Sequence, residues 1–401
     1  MKNVISDAPI YEEGLYTENK GRKMNSEFIT TDVNNLYNAA KRVRESSSNK
    51  QTTQRFMRDK LHEIARAQEE LHNRTWKIEQ MRPFLIYERG HKRKIQGNTP
   101  YDRMILHSYL DFSLEPELAP FLIYDNYASQ VGKGVDLARK RFKNYLGSAY
   151  REYGNNQFYM LSIDFKKFYD NVQHQKLYDE IMRHIPYDPF HEYMLWTILD
   201  SFKVDVSWMN DDEYEHCMGT VYVALDHVNE ELKGEKYMAK SLNIGNQASQ
   251  LFSIFYPTRI DNYFKIVRGM KRYGRYMDDI SVIHNDKDLL WQLLDEVYPI
   301  CEDMGLFINE KKTQIHKVNG EFKYLNRVYK VSESGYIGER LVTDTIKREK
   351  RRIKKYNGVG KPIDNQYKSW NGSFEPHMTM HQKEDMRRFI KEVKDGNNQI
   401  C

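Results

Sequence analysis

Cysteine is scarce in this chain. Its 401 residues hold three, Cys217, Cys301 and Cys401, all far apart. No two stand at the spacing of a zinc site, and three scattered thiols build no disulfide framework. A metal-knuckle fold and a disulfide scaffold are thereby excluded, and a reducing cytosol is the expected setting. Long hydrophobic runs are missing as well. Nothing approaches the roughly 20 apolar residues of a membrane span. The opening Met1-Lys2-Asn3-Val4-Ile5-Ser6-Asp7 lacks the apolar core of a secretion signal. With a mean hydropathy of −0.80, a soluble cytoplasmic protein with no membrane partner is expected. Internal repeats and low-complexity tracts are absent, which excludes solenoid and array architectures.

Net charge is also small, with 62 Lys and Arg against 57 Asp and Glu, giving +5. The distribution says more. From Leu341 to Cys401 there are 14 basic and 8 acidic residues, so this terminal stretch carries the whole excess. Aromatics make up 13% of the chain, with 29 tyrosines. Basic and aromatic side chains together suit phosphate tracking and base stacking, although tyrosines also build ordinary cores. The length is enough for two or three subdomains.

The most informative feature is Tyr276-Met277-Asp278-Asp279. It lies between two short strand-like runs, Lys271 to Arg275 and Ile280 to His284. Adjacent carboxylates repel and resist desolvation, so a hairpin tip is an odd place to concentrate them unless a cation shares them. Alone, the tetrapeptide reads as a solvated turn. A third carboxylate changes that. The apolar run Gln157 to Ile163 has the pattern of a buried strand, and Asp164 stands at its end. Three carboxylates from two strands can meet at one sheet edge and hold two hard cations, the standard device for in-line phosphoryl chemistry.

Asp164-Phe165-Lys166-Lys167-Phe168-Tyr169-Asp170 resembles the first catalytic motif of reverse transcriptases, and Arg275 to Asp279 resembles the second. Between them, Leu242-Asn243-Ile244-Gly245-Asn246-Gln247-Ala248-Ser249-Gln250 is similar to the nucleotide-binding turn and helix of these enzymes. Gly305 to Thr313 and Phe322 to Asn326 resemble the two later palm motifs. Arg93-Lys94-Ile95, Asp102-Arg103 and Asn126 through Gly134 look like finger motifs of the bacterial branch. Seven blocks in family order run from about Phe84 to Tyr329.

The resemblance implies an α+β right-hand polymerase: an N-terminal arm at 1–30, fingers at 31–150, a palm with an antiparallel sheet at 151–335, and a basic helical thumb at 336–401. It implies an RNA-directed DNA polymerase with two Mg²⁺ ions, or Mn²⁺ in their place, on Asp164, Asp278, Asp279 and the Phe165 carbonyl. Arg93 and Lys92 would face the triphosphate, Tyr169 would lie under the sugar, and Phe168 is the alternative wall. Ile244, Gly245 and Gln250 belong to the nucleotide-binding turn, and Lys312 would sit near the pyrophosphate. On the thumb, Arg348, Arg351, Arg352 and Lys355 would track the phosphates of bound nucleic acid. The implied partners are a non-coding RNA template, the cDNA product and dNTPs, with an accessory protein or a second copy of the chain left open.

Departures narrow the subfamily. Many relatives carry Pro-Gln-Gly where this chain has Asn243-Ile244-Gly245, so an apolar side chain replaces the polar hold on the nucleotide. This form resembles diversity-generating retroelement enzymes. Asn326 stands where glycine is expected after Tyr324-Leu325. Retron signatures are absent, and the terminal stretch is too short for both a maturase region and a nuclease domain. A defence-associated bacterial enzyme is favoured, with a diversity-generating enzyme as the alternative and a non-catalytic RNA-binding scaffold as the alternative of another class. The bulky Tyr169 speaks against an RNA-copying RNA polymerase.

Among the remaining elements, the spacing predicts a helix from Thr31 to Glu45, a linker at Ser46–Lys50 and one longer helix with Met57, Leu61, Ile64 and Leu71 inward. It also predicts a helix over Leu289–Met304, a surface insertion over 205–240, a turn at Ser369-Trp370-Asn371-Gly372 and a last helix at Gln382–Val393.

Overall fold

The structure is a computed structural model, and it describes residues 25–79, 84–88, 91–224, 234–359 and 364–397. Most of the expected N-terminal arm and residues 225–233 of the expected insertion lie outside the described residues. In chain order the first elements are α1 (Ser26–Thr31), α2 (Val33–Ser47), α3 (Gln51–Arg58), α4 (Lys60–His72), β1 (Phe84–Glu88), β2 (His91–Ile95), α5 (Pro100–Tyr109) and α6 (Glu115–Leu118). There follow α7 (Val135–Tyr153), β3 (Tyr159–Ile163), α8 (Phe168–Asn171), α9 (His174–Met182), α10 (Pro189–Asp200), β4 (Val204–Asp205), α11 (Asp211–Gly219) and β5 (Tyr237–Met238). Next come α12 (Gln247–Phe255), α13 (Thr258–Asn262), β6 (Tyr273–Tyr276), β7 (Asp279–His284), α14 (Lys287–Asp303) and β8 (Gln314–Lys317). The chain finishes with β9 (Phe322–Tyr324), β10 (Arg327–Val331), β11 (Ile337–Leu341), α15 (Thr343–Gly358), α16 (Asp364–Phe374) and α17 (Met380–Asn397). The fold is α+β, with mixed helices and antiparallel sheet. No helix among the described residues is long and apolar enough to cross a membrane.

The chain forms two compact units. One comprises Met1–Pro83, Gln96–Ala119 and Ile185–Ser201, the other Phe84–Ile95, Pro120–His184 and Phe202–Cys401. The first is helical. Asp32 caps α2 by accepting from the Asn35 N–H, and Thr99 caps α5 ahead of Pro100. Where sequence spacing suggests a linker from Ser46, α2 runs to Ser47, because the hydroxyls of Ser46 and Ser47 bond back to the Val43 carbonyl. The expected single long helix is two, α3 and α4, meeting at Asp59. The break turns Leu61 outward, 67% exposed, while Ile64, Ala67 and Leu71 stay buried.

The second unit is built on a four-stranded antiparallel sheet in the order β6-β7-β3-β8. Phe142, Leu146, Phe158, Met160, Ile283, Phe322 and Tyr329 belong to one of its core clusters, each fully buried apolar side chain contributing about 1.5–3 kcal/mol. A three-stranded sheet, β11-β10-β9, shares that cluster. The described part of the 205–240 stretch is the β4–β5 pair with α11 between them. Lys240 pins this stretch. It is fully buried, and its Nζ donates to the carbonyls of Cys217, Met218 and Thr220 at 2.8–3.3 Å. Burial pushes that ammonium down to about 8.

Helices α15, α16 and α17 enclose a small apolar cluster with Ile346, Ile353, Met386 and Phe389. The expected turn at Ser369–Gly372 lies inside α16. Trp370 stacks on Phe374 at 5.0 Å, one helical turn away, and that contact carries the helix across Gly372.

Candidate functional site

Strand register brings the carboxylates to one edge. Ile163 of β3 faces Ile280 of β7, so Asp164, the next residue, leaves the sheet beside Asp279. Tyr276 pairs with Asp279 across the β6–β7 hairpin, which leaves Met277 and Asp278 as its tip. Met277 has φ of +53°, a left-handed conformation that costs a non-glycine residue about 1–2 kcal/mol. The three carboxylates feel one another. Burial pushes the Asp278 carboxyl up, and the Asp164 charge adds to it. Asp279 is pushed up to about 7 by desolvation and by the charges of Asp278 and Asp164. Asp279 keeps an exposed edge, so like-charge crowding is the part that carries weight.

A returning loop grips Asp164. Gly305, at φ +68°, is the left-handed residue that ends α14. A Cβ there would stand 3.0 Å from Gln173 Nε2. The chain then runs back along Asp164. The Asn309 N–H donates to the Asp164 carbonyl at 2.7 Å, and Asn309 Nδ2 donates to Asp164 Oδ1 at 2.9 Å. Lys312 Nζ lies 3.2 Å from Oδ1, and the Asp164 N–H donates to Thr313 Oγ1 at 3.3 Å. The bridge between Phe165 and Ile308 uses the carbonyls of Asp164 and Phe307 and leaves that of Phe165 outside the pair.

A second group of side chains lies near these carboxylates. Ile95 of β2 bridges Ile244, which holds the turn before α12 against β2. Two residues back, Arg93 is exposed, and its charge acts on both Asp278 and Tyr169. Tyr169 is half-buried. Its hydroxyl donates to Ser253 Oγ at 3.3 Å and lies 3.9 Å from Met277 Sδ. Phe168 is 2% exposed and packs on Phe165 with ring centres 6.0 Å apart. Of the two adjacent aromatics, only Tyr169 keeps a surface to offer a ligand. Ile244 is half-buried, while Gly245 and Gln250 are exposed. Asn246 caps α12 by accepting from the Ala248 N–H.

Carboxylate and carbonyl oxygens are the donors that hard divalent cations take. Crowded like charges at one edge fit such ions by donor chemistry. The side chains are not drawn into a finished cage: among the described residues, no group of three or more His, Cys, Asp or Glu is placed to hold a metal ion.

A family model described as reverse transcriptase (RNA-dependent DNA polymerase) matches residues 125–327, just over half of the chain. The chain belongs to the reverse transcriptase family. Reverse transcriptases use divalent metal ions. Similar solved structures include apo telomerase from Candida tropicalis truncated from its C-terminal domain, at 15% identity over 67% of this chain and 58% of that one, TM-score 0.39. Telomerase from Candida tropicalis in complex with a fragment of telomeric RNA matches at 12% identity over 84% and 57%, TM-score 0.44. The corresponding Candida albicans complex matches at 12% over 85% and 64%, TM-score 0.37. The reverse transcriptase chain thus spans less than two thirds of the length of these telomerases. Similarity at this level assigns no function. A search of curated proteins finds no match.

The remaining expected residues fall in several environments. Lys92 lies on β2, with its side chain outside the described residues. Lys312 rests on Asp164 rather than free in the cleft. On α15, Arg351 and Lys355 are exposed. Arg352 pairs with buried Glu349 at 2.7 Å, and Arg348 is half-buried and bonds back to the Asp344 carbonyl. Sequence reasoning missed Asn309, Thr313 and Ser253. Asn309 and Thr313 sit inside a matched motif but touch a residue about 145 positions away.

Proposed function

We propose that this chain is an RNA-directed DNA polymerase of the bacterial branch. It copies a dedicated non-coding RNA into cDNA, in antiphage defence. The observation that carries the polymerase reading is the convergence of Asp164, Asp278 and Asp279 at one sheet edge, in a chain of the reverse transcriptase family. Asp164, Asp278, Asp279 and the Phe165 carbonyl are the groups to hold two Mg²⁺ ions, or Mn²⁺. When bound, such ions supply acidification of the primer 3′-hydroxyl and charge neutralisation of the leaving pyrophosphate.

The chain's own residues do the rest. Arg93, with Lys92, binds the triphosphate, for which a planar guanidinium fork is suited. Tyr169, propped by Ser253, forms the floor under the sugar and excludes a 2′-hydroxyl. Gly245 lets the backbone approach the nucleotide, Ile244 gives it an apolar contact, and Gln250 lines the exposed side of α12. Lys312 orients Asp164 in the free chain and turns to the pyrophosphate when nucleotide enters. Arg348, Arg351, Arg352 and Lys355 follow the phosphates of the template–product duplex.

A second reading is favoured by Ile244-Gly245-Asn246: an error-prone enzyme of a diversity-generating element, in which the missing polar hold relaxes discrimination. A non-catalytic RNA-binding scaffold would have no use for three mutually repelling carboxylates at one edge.

The test is primer extension. Purified protein on a primed RNA with dNTPs and Mg²⁺ is expected to make DNA, and chelation of the metal is expected to stop it. No product under any primer sinks the polymerase reading. Sequencing cDNA made on the RNA that copurifies then separates the pathways. Uniform copies support defence, and substitutions concentrated at template adenines support diversification.

A further inference from the structure

Asp261 and Arg275 are both 0% exposed and form an ion pair in the core of the second unit. Desolvating two charges can cost more than their attraction returns, and apolar replacements of such pairs are often neutral or stabilising. Stability alone is therefore a poor reason for this pair.

Its geometry suggests another. Arg275 Nε donates to Asp261 Oδ1 at 2.8 Å and Nη2 to Oδ2 at 2.7 Å, while the Tyr273 hydroxyl donates to Oδ1 at 2.6 Å. Both carboxylate oxygens are engaged, and the two-point contact fixes the plane of the guanidinium. The remaining donors point elsewhere. Nη2 donates to the Ile254 carbonyl of α12 at 2.7 Å, and Nη1 donates to the Met277 carbonyl at 3.0 Å. Asn126 Nδ2 donates to the same Ile254 carbonyl at 2.9 Å. One planar group thus ties α13, α12 and the tip of the β6–β7 hairpin together.

The Met277 carbonyl belongs to the peptide that leads into Asp278. Met277 is held in the left-handed region, a conformation that persists only where its surroundings impose it. A bond to that carbonyl restrains both the strained residue and the direction in which Asp278 leaves it.

We propose that Arg275, anchored by Asp261, is a positioning residue that sets the Met277–Asp278 peptide and thereby the placement of Asp278 and Asp279 for metal binding. The inference rests on the polymerase reading above. Lysine cannot replace the arginine. It keeps the charge but offers a point donor in place of a rigid fork with four directed bonds.

The test compares R275K, the double variant R275M/D261L and the wild type. Three quantities are read: melting temperature, Mn²⁺ binding by titration calorimetry without substrate, and steady-state dNTP incorporation on a primed RNA. R275K is expected to fold, to bind Mn²⁺ about 10–100-fold more weakly and to lose a similar factor in kcat. Its KM for dNTP should stay near the wild-type value, because Arg93 and Tyr169 are untouched. R275M/D261L is expected to fold, to melt below the wild type because the buried Tyr273 hydroxyl loses its acceptor, and to keep both defects. A double variant with wild-type kcat and Mn²⁺ affinity, or an R275K protein that fails to fold or matches wild type in both, would show that the pair serves the core and overturn the inference. The wild-type control separates this from failure of the polymerase reading, which would appear as a wild-type chain that neither binds Mn²⁺ nor extends a primer.

Discussion

Two hairpin tips in the second unit carry non-glycine residues in the left-handed region, and an arginine holds each by a carbonyl. At the β6–β7 tip the residue is Met277, and the arginine is Arg275 of the same hairpin, fully buried. At the β9–β10 tip the residues are Leu325 at φ +42° and Asn326 at +61°. There Arg139 reaches across from α7 and donates from Nε and Nη2 to the Leu325 carbonyl at 3.1 and 2.7 Å. Arg139 also pairs at 3.2 Å with Asp136, whose side chain is 83% exposed. The first tip is locked by a fully buried pair, whereas the second is clamped by one arginine whose acidic partner is exposed. The tip that bears carboxylates is tied into a fully buried ion pair that also binds α12 and α13. The other rests on one arginine and its exposed partner. Asn326 is also accounted for: a two-residue turn with positive φ at both positions accepts asparagine where many relatives use glycine.

The comparison can be broken or sharpened by four changes. The largest effect is expected at Tyr169, whose hydroxyl lies against the β6–β7 tip. Tyr169→Val should lower the preference for dGTP over GTP by about 10–100-fold, read by competitive incorporation on one template. An unchanged ratio there, with a shifted one in Phe168→Ala, would transfer the role to the other aromatic.

Next is Arg139→Ala. It frees the β9–β10 tip and leaves the Leu325 carbonyl without its donor, at a stability loss of about 1–3 kcal/mol. Mn²⁺ binding should stay at the wild-type level. A fall in Mn²⁺ affinity would mean the two tips are not independent.

The third change neutralises Arg351 and Lys355 on α15. The salt slope of template binding should become shallower by roughly 0.7–0.9 for each phosphate that is no longer neutralised. Removing Arg352 should add a loss of folding stability, since it strands the buried Glu349. An unchanged slope would mean that these side chains form a solvated face and contact no phosphate.

The smallest effect is Asn326→Gly. Backbone relief and chain entropy oppose each other, so the stability change should stay below about 1 kcal/mol. By contrast, Leu325→Gly should destabilise, because that side chain packs on the sheet's core cluster. Paired melting curves decide both.

What was legible in the sequence was local. The hairpin at Tyr276–Asp279 follows from turn chemistry between alternating strands, and Asp164 was readable as the end of a buried run. What was not legible depended on distant partners. Nothing near Asp261 marks it as the anchor of Arg275, and nothing near Lys312 says that it rests on Asp164. Phe168 and Tyr169 are neighbours of similar bulk, and only the fold shows that the first is spent on Phe165. The break at Asp59 and the continuity of α16 through Gly372 turn on local contacts that spacing does not show: the Asp59 N–H bonds back to the Arg55 and Phe56 carbonyls, and Trp370 stacks on Phe374. The helical first unit is assembled from three separated segments, which no local pattern announces.

The most direct measurement compares single-turnover dNTP addition on a primed RNA for Asp164→Asn, Asp278→Asn, Asp279→Asn and their pairwise combinations. Groups that act as one unit are grossly non-additive. Each single variant is expected to lose at least about 100-fold in rate, with the double variants little worse than the singles and all remaining folded. A single variant at wild-type rate, or losses that simply multiply, would contradict the claim that these three carboxylates form one catalytic site.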